Sequence, residues 1–227
     1  MPRLDVWLVE TERFSSRQAA KRAIKDGLVT VNGEKCKPSK QVSEKDRIEI
    51  MSDDADFPLG YKKLKDIEEM LEEQVLVSPP CLVLDIGSSA GGFLLYLAKK
   101  GADAVGIEVS ERFAEDLYRI TINHPQISVI IADAFDIDPT IITTSNSLDL
   151  LLVDVTTEPE GTLKLIERFT PLLKEDGRML ASFKCACDAV EIMNMVKDTI
   201  SQIGYNQIRE ICLDETRQEV HIVAYHM

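Results

Sequence analysis

The rhythm of apolar and polar positions changes near residue 80. Before it, apolar residues recur mostly at helical spacing; after it, short apolar runs alternate with helical patterns. Leu4 to Glu10 reads as a short helix with Leu4, Trp7 and Leu8 inward. Ser15 or Ser16 can cap a second helix from about Arg17 to Asp26, which Gly27 ends. On its wheel Ala19, Ala20, Ala23 and Ile24 share one arc, and Arg17, Lys21, Arg22 and Lys25 share the opposite one. One face therefore packs and the other presents cations. Leu28 to Val31 and Arg47 to Ile50 read as strands, with Asn32-Gly33 as a hairpin turn. Met51 to Phe57 is an acidic, small-residue linker, punctuated by Pro58 and Gly60. Tyr61 to Val77 follows an amphipathic helical pattern with Leu64, Ile67, Leu71 and Val75 on one side, and Pro79-Pro80 stop it.

From Cys81 strands are expected at Leu82–Ile86, Ala104–Glu108, Ser128–Ala132, Leu148–Asp154, Arg178–Phe183, Gln207–Leu213 and Glu219–Tyr225. Helices are expected at Ala90–Lys100, Glu111–Asn123, Gly161–Leu173 and Ala189–Ile203. This alternation predicts an α/β fold: a mostly parallel, doubly wound sheet whose last strand is inserted antiparallel. A small α+β domain precedes it. The expected division is residues 1–50, a linker at 51–57, and 58–227.

The stretch Leu82 to Phe93 organises the larger part. It is a buried strand, a glycine turn and a helix with Phe93, Leu94 and Leu97 on one side. Such a turn puts backbone N–H groups and a positive helix end at the carboxyl edge of a sheet, where ligands bind. Its pattern, Asp85-x-Gly87-x-x-x-Gly91-Gly92, lacks the spacing that cradles a pyrophosphate. It resembles motif I of S-adenosylmethionine-dependent methyltransferases. That resemblance implies cofactor contacts at Asp85, Gly87, Ser88, Gly91, Gly92 and Phe93. Glu108, at the end of the second strand, suits both ribose hydroxyls of a nucleoside. A carboxylate capping the next helix is the competing account. Asp133 falls where methyltransferases bind the adenine amine, or it is a strand-end turn carboxylate.

Composition adds bounds. Hydrophobic residues make up 44% and charged residues 29%, as in soluble globular chains. There is no apolar run long enough to span a bilayer, and Arg3, Asp5, Glu10 and Glu12 break any signal peptide. Five cysteines, an odd number without Cys-x-x-Cys, argue against a disulfide framework or a zinc site and for a reducing cytoplasm. The three histidines show no ligand spacing, so no metal is expected. Charge is uneven: residues 1–50 hold 11 basic and 8 acidic side chains, net +3, and the rest 15 and 31, net −16. That asymmetry fits a division of labour between the two parts, with surface acidity for solubility as the competing account of the −16.

Two resemblances give these features a reading. Arg3-Leu4-Asp5, Ser16-Arg17-x-x-Ala20, Ile24 to Gly27, Val29-x-Val31-Asn32-Gly33 and Asp46-x-Ile48 resemble the S-four-type RNA-binding domain. The resemblance implies that Arg17, Lys21, Arg22 and Lys25 contact structured RNA. Tyr61-Lys62-Lys63-Leu64, Val153-Asp154, Phe183-Lys184 and Glu219-Val220-His221 resemble FtsJ-like (RrmJ) ribose 2′-O-methyltransferases. The implied catalytic tetrad is Lys63, Asp154, Lys184 and Glu219, with Lys62 an alternative first lysine. The whole chain looks most like the TlyA hemolysin-type rRNA 2′-O-methyltransferases, with strand order 3-2-1-4-5-7-6 implied. It departs where Arg217-Gln218 replace a serine pair and His221 a tyrosine. Asp154-Val155-Thr156-Thr157 is not the Asn/Asp-Pro-Pro-Tyr of exocyclic-amine methyltransferases. The expected function is S-adenosylmethionine-dependent 2′-O-methylation of RNA, ribosomal RNA first, in the cytoplasm and without a membrane. The alternative is a non-catalytic RNA-binding or ribosome-assembly factor on the same fold. Lys184 acts as a neutral base or as an aligning group, and Cys185 and Cys187 as packing or as a nucleophile.

Overall fold

Two units partition the chain, Met1–Lys62 and Lys63–Met227. The computed structural model describes all residues except Asp53, Glu73, Gln74, Glu215 and Arg217. The last of these, expected at the approach to the final strand, the linker position Asp53, and Glu73 and Gln74 of the expected helix thus lie outside the described residues.

The first unit holds α1 (Leu4–Glu10), α2 (Arg17–Lys25) and the strands β1 (Val29–Val31), β2 (Glu34–Lys35) and β3 (Ile48–Ile50). The strands form an antiparallel sheet in the order β2-β1-β3. Ser16 caps α2, its side chain accepting from the Ala19 N–H at 3.2 Å. The arc Ala19, Ala20, Ala23 and Ile24 is buried with Leu4, Leu8, Val29 and Val31. Asn32 and Gly33 both take positive φ, 57° and 81°, as a tight right-twisted hairpin requires. Ala55, in the segment expected as linker, packs into this core. The Ser15 N–H and hydroxyl donate to the Asp56 carboxylate beside it.

The helix α3 (Leu59–Met70) continues through the division between units. Its periodicity predicts helix to Val77, but the backbone leaves at Glu72, whose φ is 52°. Glu68 Oε1 then accepts the Val77 N–H at 2.9 Å, replacing the helical partner of that group. Leu76 and Val77 are buried, whereas Val75, expected on the inner side, is exposed.

The second unit is one seven-stranded sheet with helices between its strands. The elements are β4 (Leu82–Ile86), α4 (Gly92–Lys100), β5 (Asp103–Glu108), α5 (Ala114–Asn123), β6 (Ile127–Ile131) and β7 (Leu148–Val153). They continue with α6 (Pro159–Phe169), β8 (Leu173–Phe183), α7 (Val190–Ile203), β9 (Tyr205–Ile211) and β10 (Val220–His226). Strand order is β6-β5-β4-β7-β8-β10-β9. β10 runs antiparallel to both neighbours, and the other pairings in this sheet are parallel. Counted within the sheet this is 3-2-1-4-5-7-6. Central strands β4 and β7 are buried along nearly their whole length, as continuous apolar runs demand when helices cover both faces.

The expectation drawn from the cysteine count is overturned for one pair. Cys187 and Cys212 form a disulfide, with their Cα atoms 6.3 Å apart. Spacing along the chain gave no hint of it. The cysteines follow β8 and β9, whose ends the fold brings near one another across β10. Cys36, Cys81 and Cys185 are free. Among the described residues no helix is long and apolar enough to cross a membrane.

Candidate active site

The site lies at the carboxyl edge of the sheet, where β4 gives way to the glycine turn. Gly87 takes φ +91°, and its two neighbours in space leave no room for a side chain. A Cβ there would sit 2.4 Å from the Asp154 carbonyl oxygen and 3.0 Å from Val155 Cγ1. The turn is thus seated directly on the end of β7. Around it opens a cavity of about 400 Å³ whose lining includes Gly87, Ser89, Glu108, Asp133 and Asp154, together with Val109, Phe113, Phe135 and Thr156.

Glu108 ties two of the loops that line the cavity. Its Oε2 accepts the Ser89 N–H and its Oε1 the Ser110 N–H, each at 2.8 Å. One lone pair on each oxygen remains, so bridging the loops and receiving hydroxyls are compatible. Asp133 likewise spends Oδ1 on the Phe135 N–H at 2.9 Å, forming a turn at the end of β6. Of the other motif positions, Ser88 is buried and donates to the Asp85 carbonyl. Gly91 faces α5, where a Cβ would meet Ile120 at 2.1 Å. Gly92 opens α4 and Phe93 is buried. These four hold the turn against the helices and do not line the cavity.

Asp85 is the anomaly. It is fully buried, and neither carboxylate oxygen has a hydrogen-bond partner. Burial, reinforced by the Asp154 and Glu108 carboxylates and opposed by Ser88 and Lys63, pushes its pKa up to about 7. An unpaired buried acid is costly, and a ligand ammonium would satisfy it. A cavity with one acid for a ribose, another at its far wall, apolar walls and an orphaned acid buried nearby fits an adenosyl amino acid.

Beside the cavity four charged side chains close a ring. Lys63 Nζ donates to Asp154 Oδ2 at 2.8 Å and to Glu219 Oε1 at 2.9 Å. Lys184 Nζ donates to Asp154 Oδ1 at 3.0 Å and also to Glu219 Oε1. Of the two candidate first lysines, Lys63 is the one seen bound to both carboxylates. The antiparallel insertion of β10 makes the ring possible. It sets the carboxyl end of β8, where Lys184 follows Phe183, beside the amino end of β10, where Glu219 precedes Val220. A parallel strand would carry Glu219 to the opposite edge.

The ring sets its own protonation. Burial alone would raise the Asp154 and Glu219 carboxyls, but the lysines hold both below the ordinary range. Burial disfavours the Lys184 ammonium, yet Asp154 and Glu219 outweigh it and raise its pKa above that of a free lysine. Two cations face two anions, so the ring is neutral as a whole. Lys63 Nζ also lies 5.9 Å from the centre of the Phe93 ring.

In the first unit, Arg17 and Lys25 are exposed, Lys21 and Arg22 are half-buried, and all four line one surface cavity. Arg22 also donates to the carbonyls of Asp56 and Phe57. Behind the arc, fully buried Asp5 accepts from Arg3 Nε at 2.9 Å and Arg17 at 3.1 Å, with Lys21 at 3.8 Å. Sequence reasoning missed Asp5 as an organiser of cations, although the Arg3-Leu4-Asp5 run contained it. It also missed Lys35 and Lys37, which with Arg3, Lys21 and Lys25 line a surface groove of about 560 Å³. In the larger unit it missed Ser89, Val109 and Phe135, each one or two positions beyond a residue already singled out.

Residues 2–48 match the family model of the S4 domain, and residues 60–222 that of the FtsJ-like methyltransferase. No curated protein matches the chain. Among solved structures, Aeropyrum pernix fibrillarin in complex with natively bound S-adenosyl-L-methionine is similar over 80% of each chain, at 19% identity and a TM-score of 0.61. Methanococcus jannaschii fibrillarin, a pre-rRNA processing protein, is similar over 87% of this chain and 88% of its own, at 19% identity and TM-score 0.59. Fibrillarin from a complex with Nop5p is similar over 74% and 83%, at 17% identity and TM-score 0.62. At such identities the likeness is one of fold.

Proposed function

The chain belongs to the FtsJ-like methyltransferase family, and we propose that it transfers a methyl group from S-adenosylmethionine to a ribose 2′-hydroxyl of RNA. Ribosomal RNA is the expected substrate, docked through the S4 domain. The observation that carries this reading is the ring Lys63–Asp154–Lys184–Glu219, because Asp154 belongs both to the ring and to the cavity wall.

S-adenosylmethionine supplies a methyl group on a positively charged sulfur, a leaving group that needs no acid. What the protein adds is alignment. A ribose hydroxyl is a weak nucleophile, and positioning its lone pair in line with the methyl carbon accounts for much of the achievable acceleration. Lys184 is held as an ammonium. It therefore donates to the hydroxyl oxygen and steers the other lone pair; it does not act as the base. Once the oxygen carries the methyl group its remaining proton is strongly acidic. Carboxylates as weakly basic as Asp154 and Glu219 can then accept it. In this reading Asp85, buried behind the cavity wall, answers the ammonium of the amino-acid tail, while Glu108 and Asp133 on that wall serve the ribose and the adenine edge.

The cysteines argue against attack on a base carbon. Cys187 is in a disulfide, and burial raises the Cys185 thiol above its ordinary pKa. A thiol kept protonated is a poor nucleophile. On the docking surface, Arg17, Lys21, Arg22 and Lys25 are the proposed contacts, and Arg22 in addition ties down the Asp56 and Phe57 carbonyls.

The test is incubation with methyl-labelled S-adenosylmethionine and ribosomal subunits, then alkaline hydrolysis. A 2′-O-methyl group protects its phosphodiester, so label should appear in alkali-resistant dinucleotides. Label in mononucleotides would place the methyl group on a base. Cofactor binding without transfer to any ribosomal RNA would favour the assembly-factor reading.

A further inference from the structure

Above the charged ring stands a buried pair that the mechanism so far does not use. Ser182 lies in β8 two positions before Lys184, and His221 in β10 two positions after Glu219. Register places His221 directly across from Ser182. Both are about 1% exposed. Their contact is Ser182 Oγ to His221 Nδ1 at 3.0 Å. On its other side His221 Nε2 lies 3.6 Å from Glu219 Oε2. Glu219 therefore divides its oxygens: Oε1 takes both lysines, and Oε2 turns to the imidazole.

We propose that His221 is a positioning residue that fixes the Glu219 carboxylate, so that a single oxygen orients both lysines toward the ribose hydroxyl. This rests on the methyltransferase reading above.

Electrostatics selects the tautomer. If Nδ1 carried the proton, the Nε2 lone pair would face a carboxylate oxygen, which is repulsive. With the Ser182 hydroxyl donating to Nδ1, Nε2 carries the proton and points it at Oε2. At 3.6 Å this is an attraction slightly longer than a hydrogen bond, and a small closure on substrate binding would complete it. Burial, with Lys63 next, lowers the ring's pKa to about 4, so it stays neutral and leaves the two-against-two charge balance intact. Ser182 thus acts on Glu219 only through the imidazole. A tyrosine at this position would present one hydroxyl and could not relay between a serine and a carboxylate in this way.

The experiment compares wild type with His221→Phe, His221→Gln and Ser182→Ala, measuring kcat, the KM for RNA and the S-adenosylmethionine Kd, with melting temperature as a folding control. Expected is about a tenfold fall in kcat for His221→Phe, a smaller fall for Ser182→Ala, and unchanged cofactor Kd throughout. His221→Gln keeps an N–H donor and should recover most of kcat. If His221→Phe does not fold, Ser182→Ala and His221→Gln still decide the matter. Wild-type kcat in Ser182→Ala and His221→Phe would overturn the proposal. So would a fall in His221→Gln as deep as in His221→Phe, or parallel losses of kcat and cofactor affinity, since these mark a purely structural residue. Absence of transfer by wild type would sink the methyltransferase reading instead, a separate outcome.

Discussion

Cofactor binding should release a proton, and Asp85 is the reason. In the free protein its pKa is about 7, because burial opposes its charge. A ligand ammonium needs the carboxylate form, so protonation competes with binding. With that pKa, affinity for S-adenosylmethionine at about pH 6 should be roughly tenfold weaker than its plateau, and at about pH 5 roughly a hundredfold. The amine of the ligand stays protonated over this range, so it does not contribute to the slope. The stability of the empty protein should move the opposite way. A carboxyl whose folded pKa is raised binds more protons folded than unfolded between about 4 and 7, so stability falls as pH rises through that window. The full cost above it is on the order of 4 kcal/mol, which the ligand ammonium offsets. The assay is calorimetry across this range in two buffers of different ionisation enthalpy, for wild type and Asp85→Asn. The variant should bind weakly and with a flattened pH response. Flat affinity in the wild type, or an equal slope in the variant, would refute the assignment of Asp85.

Gly87→Ala places a Cβ 2.4 Å from the Asp154 carbonyl and forces a side chain to positive φ. It should lower stability by about 1–3 kcal/mol and impair both cofactor affinity and turnover, because the turn and the ring share Asp154; calorimetry and initial rates check this. Lys184→Ala should lower kcat by about a hundredfold or more while leaving cofactor affinity intact, and Lys184→Arg should not restore it, since a guanidinium cannot occupy the place of a compact ammonium. Arg17→Glu with Lys21→Glu should weaken RNA binding and reduce the slope of log affinity against log salt by roughly 0.7–0.9 for each phosphate that is no longer neutralised. Arg22→Ala should reduce that slope and also lower the melting temperature, because Arg22 lines the cationic surface and is bound to the Asp56 and Phe57 carbonyls.

Periodicity carries the fold well because its signals are long and mutually consistent. The central strands are apolar throughout, so Leu82–Ile86 and Leu148–Val153 are legible to within a residue. The α2 arc is legible because four small apolar residues at helical spacing can only pack one way. Periodicity fails where a local interaction interrupts a pattern. The helix expected to reach Val77 ends at Met70, where a side-chain carboxylate, Glu68, takes over a backbone N–H. The charged ring joins residues 156 positions apart, from Lys63 to Glu219, and periodicity contains nothing about such separations. Only the family resemblance reaches across them. The same limit hides the disulfide, and it hides the bonds that Arg22 makes to the Asp56 and Phe57 carbonyls.

The Cys187–Cys212 bond changes how far two members of the ring can stray. Along the backbone Lys184 and Glu219 are 35 positions apart, and the disulfide bypasses 25 of them. Were the ends of β8 and β10 to fray, the shortest covalent path between these residues would be only about eleven steps. Because the local concentration of one chain end at another scales as roughly the −3/2 power of tether length, the shortcut raises that of Glu219 at Lys184 about sixfold, or ~1 kcal/mol. The crosslink touches neither charge. It acts as a leash on a charge pair whose members are otherwise joined only through the whole of α7 and β9, and it favours re-formation of the pair after each excursion.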